Sequence, residues 1–253
     1  MKEIIKLSFI AAVLMSGVVY GAEKDSRCYE LRTYTAPPGK LDALLARFRD
    51  HTCKIFERHG MVNVGYWVPL ENAENKLIYM LSYPNREARG KAWKAFMADP
   101  EWQKAWRASE VDGRLVSKVE NVFMSATDYS PGIKSSASST PRVFEIRTYT
   151  ASPGKLDALN ARFRDHTVSL FSKHGMTHVG YWNMMEDQKG ADNTLFYMLA
   201  HSSKEAAAKS FDGFRRDPAW ISAKNESQKD GSLTVRRGVK SVFAKATDFS
   251  PMR

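Results

Sequence analysis

Glu30, Arg32 and Tyr34 occupy every second position of the segment CYELRTYT, and the same three residue types return at Glu145, Arg147 and Tyr149. Alternate residues of an extended strand share a face. Each segment therefore sets a carboxylate, a guanidinium and a phenol side by side. A buried charge without a partner is costly, so the Glu and Arg of each set are expected to pair. Such a pair could be a structural ion pair between sheets. It could also be the polar end of a cavity, where the arginine's fork of donors recognises an anionic or carbonyl-bearing ligand. Tyr66-Trp67 and Tyr181-Trp182 lie in a second strand segment. One aromatic of each pair must face the same interior, as core packing or as a wall for a planar apolar ligand.

His51 and His166, in the repeated RFRDHT, are the candidates for moving a proton, and His51 is the one fair candidate for an axial haem bond. His59 and His174 precede Gly in HGM, where a histidine can bond the last helical carbonyls and oppose the helix dipole. Nothing points to a metal site. There is no HExxH, no CxxC and no carboxylate triad, and Asp50 and His51 are adjacent, not four apart on one helix face. No GxSxG, P-loop or dinucleotide fingerprint is present, so no cofactor is expected.

The elements that must position these residues occur twice. Residues 29–67 and 144–182 are identical at 28 of 39 positions with a constant offset of 115, and the copies end on ATDYSP and ATDFSP. Units of over a hundred residues are domains, not solenoid repeats of ~20–50. Each copy reads as a strand over 28–35 (143–150), a Pro-Gly break, then a helix over 40–59 with an apolar stripe from Leu41 through Phe48 and Thr52 to Phe56. Gly60 and Gly175 signal its end. Strands over 62–68 and 77–83 follow. A helical region then restarts at Asp99-Pro100, matched by Asp217-Pro218, and a last strand covers 118–124 (238–244).

The order β-α-β-β-α-β, twice, is the ferredoxin-like plan. The fold class is α+β. Each four-stranded sheet would leave one face bare, so the two are expected to cover each other in an intramolecular, pseudo-dimeric α/β barrel. The space between the sheets is the expected cavity. Glu30, Arg32, Tyr34 and their repeats are expected to point into it, with Tyr29, Leu31 and Thr33 under the helices. The domains are 27–131 and 142–253, joined by a Ser- and Gly-rich linker over 132–141.

Residues 1–22 carry an early positive charge, an apolar stretch and small residues at Gly21-Ala22, the pattern of a cleaved export signal. The expectation is a secreted or periplasmic protein with no stable membrane anchor after cleavage. The net charge of +10 is dispersed among acidic residues, with no basic run of five, so no nucleic-acid partner is expected. Export would permit a Cys28–Cys53 disulfide, but Val143 and Val168 replace both in the second copy, and the pairing stays open.

ELRTYTAPPGK, RDHT, HGM..VGYW, DPEW and ATDYSP, with their second-copy counterparts EIRTYTASPGK, RDHT, HGM..VGYW, DPAW and ATDFSP, resemble the NIPSNAP family over nearly all of the mature chain. The resemblance implies a dimeric α/β-barrel fold. It implies no settled reaction, and the mitochondrial signalling role of animal members does not carry over to a chain with an export signal. The wider barrel superfamily includes cofactor-free monooxygenases and haem enzymes, a fold-level analogy. The expected function is binding of a small, partly apolar ligand between the sheets. A cofactor-independent monooxygenase-type enzyme and a non-catalytic scaffold are the alternatives, and pseudo-dimers could pair further into a homo-oligomer.

Overall fold

The computed structural model describes residues 25–133, 135, 137, 138 and 140–253. Residues 1–22, expected to be an export signal, lie outside them. The first repeat runs β1 (Cys28–Thr35), α1 (Leu41–Arg47), a π-helical turn (Phe48–Thr52), α2 (Cys53–Arg58), β2 (Val62–Pro69), β3 (Lys76–Tyr83), α3 (Arg86–Ala98), α4 (Pro100–Ser109) and β4 (Lys118–Ala126). The second runs β5 (Val143–Ala151), α5 (Leu156–Arg162), a π turn (Phe163–Thr167), α6 (Val168–Lys173), β6 (Thr177–Met184), β7 (Thr194–His201), α7 (Lys204–Arg216), α8 (Pro218–Ser227) and β8 (Thr234–Ala246).

All eight strands close into one antiparallel barrel in the order β1-β3-β2-β8-β5-β7-β6-β4. Closure abolishes the exposed edges an open sheet would leave. Within a repeat, β1 pairs with β3 and β4 over eight residues each. The repeats join at two shorter seams: Trp67, Val68 and Pro69 against Ala246, Lys245 and Ala244, and Met124, Ser125 and Ala126 against Met184, Asn183 and Trp182.

The terminal motifs fasten these seams across the repeats. Ser250 Oγ accepts from Tyr66 N at 2.9 Å, and Ser130 Oγ from Tyr181 N at 3.0 Å. Arg49 holds Asp248 through Nε and Nη2 at 2.6 and 2.7 Å, and Arg164 holds Asp128 at 2.7 and 2.8 Å. The retained RFRD and ATDYSP/ATDFSP motifs are thus the two halves of one clasp.

The barrel interior is packed with apolar side chains, among them Tyr29, Trp67, Met80, Phe144, Trp182 and Met198. This corrects the expected cavity between the sheets. The indoles of Trp67 and Trp182 fold back over Gly65 and Gly180, where an added Cβ would lie 2.3 and 2.6 Å from the nearest ring atom. Two further cores lie between each half of the barrel wall and its helices. β3 and β7 are therefore buried on both faces over almost their whole length, whereas much of β4 and β8 is exposed. No helix among the described residues is long and apolar enough to cross a membrane.

Candidate functional site

The facing of β1 and β5 is the reverse of that expected. Tyr29 and Leu31 point into the barrel, while Glu30, Arg32 and Tyr34 point toward the helices. The reason lies on α3. Glu30 is fully buried and accepts from Arg32 Nη1 at 2.5 Å and from Arg89 Nε and Nη2 at 3.0 and 2.7 Å. Tyr83 Oη at 3.0 Å, Trp93 Nε1 at 3.2 Å and Asn121 Nδ2 at 3.2 Å also donate to it. Burial alone would raise the carboxyl's pKa, but the arginines more than offset it and hold it below the ordinary value. The helical side supplies the Arg89 guanidinium and the Trp93 indole N–H, so the polar face turns there.

Glu145 has a leaner set: Arg147 Nη1, Ser241 Oγ at 2.6 Å and His201 Nε2 at 3.3 Å. In these two clusters the Glu-Arg pairs are structural. Of the polar set on the two strands, Tyr34 and Tyr149 line open space.

That space is a cleft between helices and sheet, present once per repeat at matching positions. In the first repeat it measures about 330 Å³. Its inner wall is Tyr34 from β1, Arg47, Phe48, Thr52 and Phe56 from the first helical segment, and Phe96 and Trp102 from α3 and α4. The second repeat matches each: Tyr149, Arg162, Phe163, Thr167, Phe171, Phe214 and Trp220, around about 160 Å³. Hollows of about 690 and 810 Å³ also occur at the barrel ends, but polar residues of loops and helix starts such as Arg142, Lys204, Asp128 and Asp157 line them, without aromatic walls.

The π turn shapes the inner wall. Its one extra residue shifts the helical register, and such turns often accompany functional sites. Cys53 N donates to Phe48 O, and Thr52 Oγ1 donates to Arg47 O at 3.1 Å, as Thr167 Oγ1 does to Arg162 O at 3.1 Å. Arg47, Phe48 and Thr52 thereby share the buried face, while Arg49, Asp50 and His51 turn to solvent. His51 and His166 are both exposed, which removes these two candidates from the clefts. His59 and His174 are structural: their Nε2 atoms lie 2.8 Å from Asp99 and Asp217 Oδ2, and those aspartates cap α4 and α8.

Tyr66 and Tyr181 lie fully buried under the helices, and Trp67 and Trp182 fully buried in the barrel. One residue of each pair does face each side, but all four pack as core. Cys28 and Cys53 are free thiols, and burial pushes them up to about 11 and 12. Among the described residues no group of three His, Cys, Asp or Glu side chains could hold a metal ion.

Arg47 is the polar centre of the first cleft and was not singled out from the sequence. It is 5% exposed, lies 5.3 Å from the Trp102 ring centre, and donates to Glu110 Oε1 at 3.1 Å and Ser109 Oγ at 3.2 Å. The signal for it was an arginine retained in both copies three residues after a buried leucine, inside the apolar stripe. At the mouth of this cleft Trp106 and Met97 are exposed, beside Glu110 and Arg114. The arrangement offers an aromatic slot whose polar contacts are a phenol and an arginine–glutamate pair. Such a slot suits a planar molecule with one polar end.

Protein NipSnap homolog 3A of Pongo abelii is 23% identical over 233 residues, covering 90% of this chain and 87% of that protein. Among solved structures, an anthrone oxidase-like protein aligns over 88% of this chain and 92% of its own with a TM-score of 0.55 and 12% identity. A monooxygenase-like protein of Lactobacillus acidophilus NCFM aligns over 87% and 94% with a TM-score of 0.53 and 11% identity. These two show the barrel fold. The NIPSNAP family model matches residues 29–131 and again 144–251, so the chain belongs to the NIPSNAP family as a tandem pair closed into one barrel.

Proposed function

We propose that this protein binds a small, planar, partly apolar molecule, and that the first-repeat cleft between helices and sheet holds it. The observation that carries this reading is the cleft itself, about 330 Å³ of aromatic-walled space around a buried arginine. That volume lies at the lower end of ordinary ligand pockets, ~300–1,000 Å³, and suits a ligand of about two rings. Phe48, Phe96 and Trp102 supply its walls, and Tyr34 with the Arg47–Glu110 pair supplies its polar contacts. The export pattern of residues 1–22 is the basis for placing this activity outside the cytoplasm.

The test is a titration with 1-naphthol, read by tryptophan fluorescence and by thermal stabilisation of the protein. Trp106→Lys and Met97→Arg, which copy the second repeat at two exposed positions, should weaken binding at least tenfold while leaving the fold intact. Unchanged affinity in both variants would remove the first cleft as the site.

A second reading, turnover of a phenolic compound with oxygen, draws support from the anthrone oxidase-like and monooxygenase-like neighbours. The chemistry needs a group to accept the phenolic proton. In this cleft Glu110 is the carboxylate placed to do so. Oxygen uptake that survives Glu110→Gln would sink that assignment.

A further inference from the structure

The second cleft has kept the wall of the first and lost its counter-charge. Arg162 is 6% exposed, and its Nε has no hydrogen-bond partner. Its Nη1 reaches Ser227 Oγ at 3.4 Å, and among the described residues it forms no ion pair. The position of Glu110 is taken by Gln228, and that of Trp106 by Lys224. Gln228 and Lys224 both line the cleft. The lining of the first cleft therefore carries Arg47, Arg114 and one glutamate, whereas that of the second carries Arg162 and Lys224 and no carboxylate.

A buried guanidinium without a counter-ion is an unfavourable arrangement. Burial lowers the pKa of Arg162 accordingly. An anion entering the cleft would relieve it. The remaining walls are rings: Tyr149, Phe163, Phe171, Phe214 and Trp220, the last with its ring centre 5.2 Å from the Arg162 guanidinium. The volume of about 160 Å³ sets the size, because a protein cavity of ~150 Å³ accepts benzene.

We propose that the second-repeat cleft is a binding site for a one-ring carboxylate, with Arg162 meeting the carboxylate through its donor fork and the aromatic walls holding the ring. Lys224 adds attraction at the mouth. This site is separate from the first cleft and opposite to it in selectivity: the first suits a ligand of about two rings with little charge, the second a single ring with a full negative charge. The inference does not need the first cleft to be occupied.

The probe is benzoate, titrated calorimetrically into the full mature chain, with benzyl alcohol as the neutral control. One benzoate per chain is expected, weakened by added salt and not displaced by benzyl alcohol. Gln228→Glu, which restores the glutamate of the first repeat, should weaken benzoate at least tenfold. Arg162→Gln should abolish binding. Should that variant fold poorly by its thermal melt, Gln228→Glu alone decides. Trp106→Lys, in the other cleft, should leave benzoate untouched. The proposal is overturned by absence of benzoate binding at millimolar concentration, by affinity unchanged in Gln228→Glu, or by loss of binding in Trp106→Lys. Failure of 1-naphthol to bind would bear on the first cleft alone.

Discussion

The two clefts share an inner wall and differ at the rim. Tyr, Arg, Phe, Thr, Phe, Phe and Trp recur position for position in the wall, whereas Met97, Trp106, Glu110 and Arg114 become Arg215, Lys224, Gln228 and Ser232. The shared residues are those that also close the core between helices and sheet: Phe48 packs on Tyr34, Phe56, Tyr66 and Tyr79, and Phe163 on the matching rings. The fold itself accounts for their retention. The rim residues carry little of that load, so they are where the two halves acquire different charge. The buried carboxylates follow the same division: Glu30 and Glu145 both pair with the arginine two residues on, but Arg89, Tyr83 and Trp93 around Glu30 become Ala207, His201 and Phe211 around Glu145.

The largest expected effect breaks the comparison at those carboxylates. Glu30→Gln strands two arginines and should cost about 3–5 kcal/mol in urea unfolding, the usual range for removing one partner of a buried ion pair. Glu145→Gln strands one arginine and should cost less. Equal losses would show that Arg89 adds nothing.

The same residues fix a pH dependence. Both carboxyls sit below their ordinary value of 4.5 in the folded protein. The stability they contribute is therefore complete above that value and is lost as pH falls through the lower folded-state values. A stability–pH profile should drop below about pH 4.5, and Glu30→Gln should flatten part of that drop.

Gly65→Ala and Gly180→Ala come next, at about 1–3 kcal/mol each, the usual cost of overpacking a core. Each new Cβ would press on a buried tryptophan ring. Here the halves should agree, and a cost near zero on either side would mean that its indole has room to move. Glu110→Gln sharpens the comparison through binding. It should give the first cleft the unpaired arginine of the second and raise benzoate stoichiometry from one to two per chain, whereas stoichiometry held at one would show that cleft size, not charge, excludes benzoate. The smallest effects belong to Cys28→Val and Cys53→Val. Each copies the residue that the second repeat holds at the matching place, so the added methyl should cost about 1 kcal/mol or less, at the low end of overpacking. Both thiols of the parent should react slowly with a disulfide reagent at pH 8, since burial pushes them up to about 11 and 12.

Much of the architecture was legible in the residues. The strand Cys28–Thr35 stands out by its alternation and the Pro38-Gly39 break, and the paired β-α-β-β-α-β order led to a closed barrel. Which way that strand faces was not legible, because alternation reports two distinct faces and here both are buried. The decision rests with Arg89 and Trp93, 59 and 63 residues further along the chain. The π turn was hidden as well. FRDHT reads as ordinary helix, and only the bond from Cys53 N to Phe48 O shows the inserted residue that sends His51 outward. Arg47 was overlooked because a charged residue within an apolar stripe reads as a snorkelling surface side chain.

The two seams between the repeats are three residue pairs long, against eight for the pairings of β1. In a barrel assembled from two identical chains, a mutation at a cleft rim would appear in both clefts at once, and the two clefts could not differ. Joining the halves by residues 132–141 removes that symmetry. It also keeps the halves at the effective concentration of a short tether, about millimolar, so the short seams need not hold a dimer together at cellular dilution. Each cleft can then change alone, and a single gene can carry two different specificities on one barrel.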